Sequence, residues 1–109
     1  MSTRHQVAFA IKQSAAQFWR EHYPEALEIL KTADTQYAHD AGYICKWRGF
    51  IDWPYEQVLH EAIGALKDTD YHLVVMGETA EDIYADGKWD YFKITVRYSL
   101  TFEGDYWWA

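Results

Sequence analysis

The chain has 109 residues, which is enough for one domain with a single hydrophobic core. Half of the residues are apolar, 18% are aromatic, and the formal net charge is −7. No apolar run approaches the ~20 residues that span a bilayer, and the N-terminus lacks a signal-peptide apolar block. The one cysteine, Cys45, has no internal disulfide partner. We therefore expect a single cytoplasmic domain over residues 1–109.

The negative charge is concentrated in the second half of the chain. Residues 1–60 carry six Lys/Arg against seven Asp/Glu, whereas residues 61–109 carry four against ten. Such a field disfavours direct binding to nucleic acids or anionic membranes and favours a basic protein surface. The simpler interpretation is that the charge keeps a small aromatic-rich domain soluble.

Two helices are predicted in the first third of the chain. Ser2 or Thr3 can cap a first helix, which should end near His22 because the residue before Pro24 avoids the α region. Pro24 suits the first position of a second helix, which extends to about Ala33. The apolar residues at helical spacing in the first helix are Val7, Ala8, Ile11, Ala15, Phe18 and Trp19.

The next segment, from Thr35 to Trp53, is ambiguous. Residues 43–51 are compatible with a strand that has Tyr43, Cys45 and Trp47 on one face. The same residues could form a loop that packs aromatic side chains over the core. A third helix should follow from Pro54 to about Leu66. It has an apolar stripe along one side, and Gly64 lies outside that stripe.

Three strands are predicted after that helix, at about 71–77, 80–85 and 89–102. Asp86-Gly87 between apolar stretches predicts a hairpin turn, since glycine supplies the positive φ that such a turn needs. Apolar and polar residues alternate without a break from Phe92 to Phe102, which predicts one long strand with a buried and a solvent-exposed face. The fold class is therefore α+β, with N-terminal helices packed on a C-terminal antiparallel sheet of three or four strands.

Catalytic and metal-binding patterns are weak in this sequence. His39-Asp40 is a dipeptide found among metal ligands, and Asp70 with Asp86 and Lys88 can be matched to a magnesium-dependent nuclease pattern. Cys45 could act as a nucleophile only beside a histidine that is distant in the sequence. Because no motif has convincing ligand spacing, we expect no cofactor and no metal. A small metal- or Cys-dependent hydrolase is an alternative.

The aromatic and acidic residues indicate a binding protein. Tyr106-Trp107-Trp108 lies at the end of the given sequence and either folds back onto the core or contacts another chain, since Trp and Tyr are enriched at interface hot spots. We expect a non-enzymatic module that occupies a basic surface of a partner protein, such as a nucleic-acid-handling protein. An inhibitor or immunity-type antagonist of phage or mobile-element origin fits this class. A structural homo-oligomer, in the simplest case a homodimer, is a further alternative. The predicted partner-binding residues are Glu78, Glu81, Asp82, Asp86, Trp107 and Trp108.

Overall fold

The computed structural model describes residues 5–50, 56–77, 83–96 and 100–102, and the fold is given for these ranges. They contain three helices and seven strands. In chain order the elements are β1 (His5–Lys12), α1 (Gln13–His22), α2 (Pro24–Leu30), β2 (Thr35–His39), β3 (Gly42–Phe50), α3 (Glu56–Gly64), β4 (Tyr71–Met76), β5 (Ile83–Asp86), β6 (Ile94–Val96) and β7 (Leu100–Phe102).

The first five strands form one antiparallel sheet in the order β2-β3-β1-β4-β5. Helices α1 and α2 connect β1 to β2, and α3 connects β3 to β4. These are two interleaved β-α-β units, the split arrangement known as ferredoxin-like, with β5 added at one edge. The predicted α+β class and antiparallel pairing are confirmed. The sheet, however, has five strands, and two of its three central strands come from the first half of the chain.

The prediction of a helix over the first 22 residues is wrong for its first part, because residues 5–12 form the central strand β1. Val7 to Ile11 are five consecutive apolar residues, and all are buried. A strand that is buried on both faces has no polar residues alternating with its apolar ones. Its continuous apolar run therefore also fits the spacing expected of a helix. The helix begins only at Gln13, and its predicted end at His22 is confirmed.

The helices cover one face of the sheet, here called the helix face. Val7, Phe9 and Ile11 of β1 point to it and share a buried cluster with Trp19, whose ring stacks on Phe9 at 5.7 Å. The indole N–H of Trp19 donates to the carbonyl oxygen of Ala62 in α3 at 2.9 Å, both groups being buried. This bond joins the first helix to the third without leaving a polar group unpaired.

The opposite face, here called the hairpin face, is covered by the last part of the chain. Ala8 and Ala10 of β1 point to it, with Phe92 and Leu100 packed over them. Strands β6 and β7 pair with each other, and the backbone N–H of Leu100 donates to Gln6 Oε1 at 2.9 Å. The sheet therefore has a layer on each face rather than one face in water.

That arrangement corrects the prediction of one strand over residues 89–102. A continuous strand cannot pair antiparallel with itself, yet Ile94 lies opposite Phe102 and Val96 opposite Leu100. The alternation is real: Phe92 and Leu100 are buried, whereas Lys93 is exposed. The apolar residues face β1, however, and not the stripe of α3, which lies on the other side of the sheet.

The remaining predictions can be compared element by element. Helices α2 and α3 and strands β3, β4 and β5 are confirmed where described, while β2 was not predicted. The hairpin expected at Asp86-Gly87 is wrong in its pairing: Gly87 has φ +87°, but the residues after it leave β5 and cross to the hairpin face. None of the described helices is both long and apolar enough to cross a membrane.

Candidate partner-binding site

Five ring side chains meet on the hairpin face, and we call this group the aromatic patch. Its members are Tyr37 and His39 of β2 with Trp89, Tyr91 and Phe92 from the segment after β5. Phe92 is the buried centre, with centroid distances of 4.9 Å to Tyr91, 5.4 Å to His39 and 5.5 Å to Trp89. All three contacts are edge-to-face, a favoured geometry for aromatic pairs.

Tyr91 is the exposed member of the aromatic patch. Its side chain is 55% exposed, the largest value among the exposed large hydrophobic residues of the described chain. The ring stacks on Trp89 at 5.9 Å with an interplanar angle of 16°, and it contacts His39 at 5.6 Å. A tyrosine supported on three sides loses little side-chain entropy when a partner covers it.

Local backbone geometry fixes the patch in place. Gly42 allows Trp89 to approach, because a Cβ at this position would lie 2.6 Å from the indole ring and 2.2 Å from the Ile11 carbonyl oxygen. The backbone N–H of Trp89 donates to the Tyr71 carbonyl oxygen at 3.0 Å. On the other side, His39 Nδ1 accepts a hydrogen bond from the Ala41 N–H at 3.0 Å.

Exposed carboxylates adjoin the patch residues in the sequence. Asp40 follows His39, Asp90 lies between Trp89 and Tyr91, and both are exposed. Burial lowers the pKa of the nearby His72, and the charge of Asp90 partly opposes that effect. An exposed aromatic ring beside carboxylates can bind a lysine or arginine side chain through cation–π and ionic contacts.

Of the predicted partner-binding residues, the structure describes Asp86. It ends β5, half-buried, where its carboxylate accepts from the Tyr71 hydroxyl at 2.8 Å and from the Gly87 N–H at 2.9 Å. Burial, followed by this hydrogen bond, raises the pKa of Tyr71. Asp86 therefore also has a structural role. The other predicted residues, Glu78, Glu81, Asp82, Trp107 and Trp108, lie outside the described residues.

The residues considered for catalysis are not brought together. Cys45 is fully buried on the helix face, and burial raises the pKa of its thiol, so the nucleophilic thiolate is disfavoured. Asp70 accepts from the Lys67 backbone N–H at 3.2 Å, and Lys88 pairs with Asp68 at 3.4 Å. Within the described ranges, no three His, Cys, Asp or Glu side chains converge on a metal position.

Lys46-Trp47-Arg48 places an aromatic residue between two basic ones, as single-stranded nucleic-acid binders do, but the three side chains do not form a shared platform. Trp47 is buried on the helix face, where its indole N–H donates to Thr32 Oγ1 at 3.0 Å. Lys46 belongs to the alternate set of β3 residues and is only 7% exposed, and burial, followed by the charge of Arg48, lowers its pKa. Alternation along β3 therefore separates the aromatic ring from the basic side chains.

A cavity of about 180 Å³ lies between the helices. His22, Tyr23 and Pro24 line it from the junction of α1 and α2, and Val58 and Glu61 line it from α3. Small-molecule sites usually have volumes of about 300–1,000 Å³. The cavity is smaller than that range, so we assign it no ligand.

Sequence reasoning missed the aromatic patch. In the single strand predicted over residues 89–102, Trp89 and Tyr91 would lie on one face and Phe92 on the other. The available signal was the density of rings directly after Gly87, a position where the chain changes direction. No protein-family model, curated protein or solved structure matches this chain, so the site is interpreted from its own geometry.

Proposed function

We propose that this protein is a small acidic binding module that occupies a basic surface of a partner protein and thereby blocks it. The observation that carries the proposal is Tyr91, a half-exposed ring held by Trp89, Phe92 and His39. Tyrosine and tryptophan supply much of the energy at protein interfaces, most strongly where the ring is rigid before binding. An inhibitor or immunity-type antagonist of phage or mobile-element origin fits this mode of action.

Charge supports a basic partner in particular. The chain carries −7 overall, and the segment from Glu78 to Asp86 holds four carboxylates and no lysine or arginine. Opposite charges attract the partner over distance and raise the association rate, while the buried ring contacts determine how slowly the complex dissociates. Trp107 and Trp108 are further predicted anchors in this proposal.

The test is affinity capture from the host lysate with wild-type protein and a Tyr91→Ala variant as baits. We expect one or more basic proteins that the wild type retains and Tyr91→Ala loses, since removing a hot-spot tyrosine costs about 2 kcal/mol or more. The matched control is Phe18→Ala, which removes an exposed aromatic ring from α1, on the helix face of the sheet.

The captured protein is then purified, and its activity is titrated with this chain. Loss of activity at an equimolar ratio would support antagonism. Equal capture by wild type and Tyr91→Ala would show that the aromatic patch is not the binding surface. A captured partner with an acidic surface would contradict the role given to charge.

A further inference from the structure

Strand β5 forms one edge of the described five-stranded sheet and carries exposed apolar side chains. Ile83 is 40% exposed and Tyr84 is 52% exposed, although they point to opposite faces of the sheet. Within the described ranges, no strand pairs with the outer side of β5. An exposed edge of this kind is a template for another strand.

The hydrogen bonds of β4 show which backbone groups of β5 point outward. The Tyr71 carbonyl accepts from Trp89 N–H, so it points toward β5, whereas the Asp70 carbonyl accepts from Lys12 N–H and points toward β1. Alternation along β4 then directs Leu73 and Val75 toward their partners Asp86 and Tyr84. The N–H and C=O groups of Ile83 and Ala85 therefore point away from the sheet.

The two edge strands of the sheet, β2 and β5, differ in their exposed side chains. On β2, the exposed residues Gln36 and Ala38 are polar or small, and the Gln36 side chain is bonded to the carbonyl oxygens of Lys31 and Ala33. On β5, Ile83 and Tyr84 place exposed apolar side chains beside the N–H and C=O groups that point away from the sheet. The β5 edge is therefore the better acceptor of a strand with apolar side chains.

The negative charge of residues 78–86 determines which kind of strand can pair with β5. Residues 78–86 carry four carboxylates and no basic group, so a second copy of β5 would bring like charges together. We infer that β5 accepts an extended segment with alternating basic and apolar residues from the partner, pairing with Ile83 and Ala85. This inference rests on the proposed function for the partner's charge, but it uses a different surface. Three strands, β4, β1 and β3, lie between β5 and the β2 members of the aromatic patch, and neighbouring strands are about 4.8 Å apart.

The test uses a designed peptide of about eight residues in which lysine alternates with valine or threonine, a usual strand length. Isotope-labelled protein is titrated with it, and amide hydrogen exchange is followed by NMR. We expect the Ile83 and Ala85 amides to gain protection, while the Tyr84 and Asp86 amides, already directed to β4, change little. Binding without new protection at Ile83 and Ala85 would overturn the inference.

Two protein variants form a matched pair at the same position. Ala85→Pro removes the outward N–H and places a ring where the peptide would pair, and proline is tolerated at such edge positions. Ala85→Val keeps the N–H in a good strand former. We expect Ala85→Pro to weaken peptide binding about tenfold and Ala85→Val to leave it unchanged. Equal binding by both variants would contradict strand pairing, and the exchange measurement on wild type does not depend on how well either variant folds.

A second peptide separates failure of this inference from failure of the proposed function. It has the same number of lysines but alternates them with proline, so it keeps the charge and cannot pair as a strand. If both peptides bind equally, the attraction for basic segments stands and strand addition is wrong. If neither binds, strand addition at β5 is wrong, and the proposed function is decided separately by whether Tyr91→Ala loses the captured partner. Concentration-dependent dimers without peptide, lost in Ala85→Pro, would mean that a second copy occupies the edge.

Discussion

Glycine-to-alanine substitution should have opposite effects on stability at Gly87 and at Gly64, because the two glycines have different backbone surroundings. Gly87 has φ +87°, and a Cβ there would lie 2.2 Å from the Tyr71 carbonyl oxygen. Gly64 ends α3, is exposed, and has no atom within 4 Å of the added carbon. Gly87→Ala should therefore destabilise the protein by about 2 kcal/mol or more, since strain and a backbone clash add.

Gly64→Ala is the matched control for that prediction. Removing a glycine from a helix with open space around it should stabilise the protein by about 0.5–1 kcal/mol. Urea unfolding of the two variants and wild type measures both effects. If Gly87→Ala proved as stable as wild type, the turn after β5 would differ from the one described.

His72 provides a pH-dependent prediction at the level of one side chain. Its Nδ1 is buried without a hydrogen-bond partner among the described residues, and burial lowers its pKa below the usual 6.5, with Asp90 opposing. The unfolded chain therefore takes up this proton at a higher pH than the folded chain. Stability should be fully present above about pH 7 and fall as the pH drops below 6.5 toward the folded-state pKa.

The His72→Leu variant tests that assignment. Without the imidazole, the unfolding free energy should decline less steeply between about pH 7 and pH 5. Asp90→Asn should have the opposite effect, because it removes the carboxylate that favours the protonated form. Guanidinium unfolding at several pH values measures the three slopes. Identical slopes for wild type and His72→Leu would exclude His72 as the group that titrates.

At the level of elements, the layer formed by residues 92–96 and 100–102 decides whether the sheet has one covered face or two. Leu100 is fully buried over β1, and its N–H is bonded to Gln6. Leu100→Ala should cost about 2–4 kcal/mol through lost burial and the cavity left behind. Lys93→Ala, an exposed position of the same segment, should stay within about 0.5 kcal/mol. Thermal unfolding by circular dichroism would show the difference, and equal melting temperatures would argue against this layer.

The same elements show how far sequence could predict the fold. Helix α3 was predictable because its buried residues Leu59, Ala62 and Ile63 keep helical spacing with polar residues between them. Strand β1 was not, because burial on both faces leaves no polar residue to reveal the period of two. For residues 94–96 and 100–102 the sequence predicts strand correctly, and the expected burial of Phe92 and Leu100 is confirmed. The sequence contains no local signal for the reversal that pairs Ile94 with Phe102.

At the level of the whole molecule, the candidate site depends on contacts between distant parts of the chain. The aromatic patch joins Tyr37 and His39 to rings that lie some 50 residues later, a proximity that no local pattern encodes. Acidic composition, in contrast, is visible in the sequence and predicts the sign of the partner's charge. The expectation of a basic partner therefore comes from the sequence, whereas the aromatic patch becomes visible only in the fold.

The final prediction separates local charge from net charge in partner association. The triple variant Glu78→Gln, Glu81→Gln, Asp82→Asn removes three charges that precede β5 in the sequence, and Asp86 is kept because it accepts a hydrogen bond from the Tyr71 hydroxyl. The control removes three exposed charges on α1 and α2, with Glu21→Gln, Glu25→Gln and Glu28→Gln, so both variants have net charge −4. Association with the captured partner is measured by stopped-flow fluorescence at several salt concentrations.

We expect the first variant to associate several-fold more slowly and with a flatter salt dependence, because charges near the interface dominate steering within a Debye length of about 8–10 Å. The control should keep nearly the wild-type rate, since α1 and α2 pack on the helix face, across the sheet from the aromatic patch. Dissociation rates should change little in either variant. If both variants associate equally slowly, only the net charge matters. If neither variant associates more slowly than wild type, the acidic residues contribute to solubility and not to association.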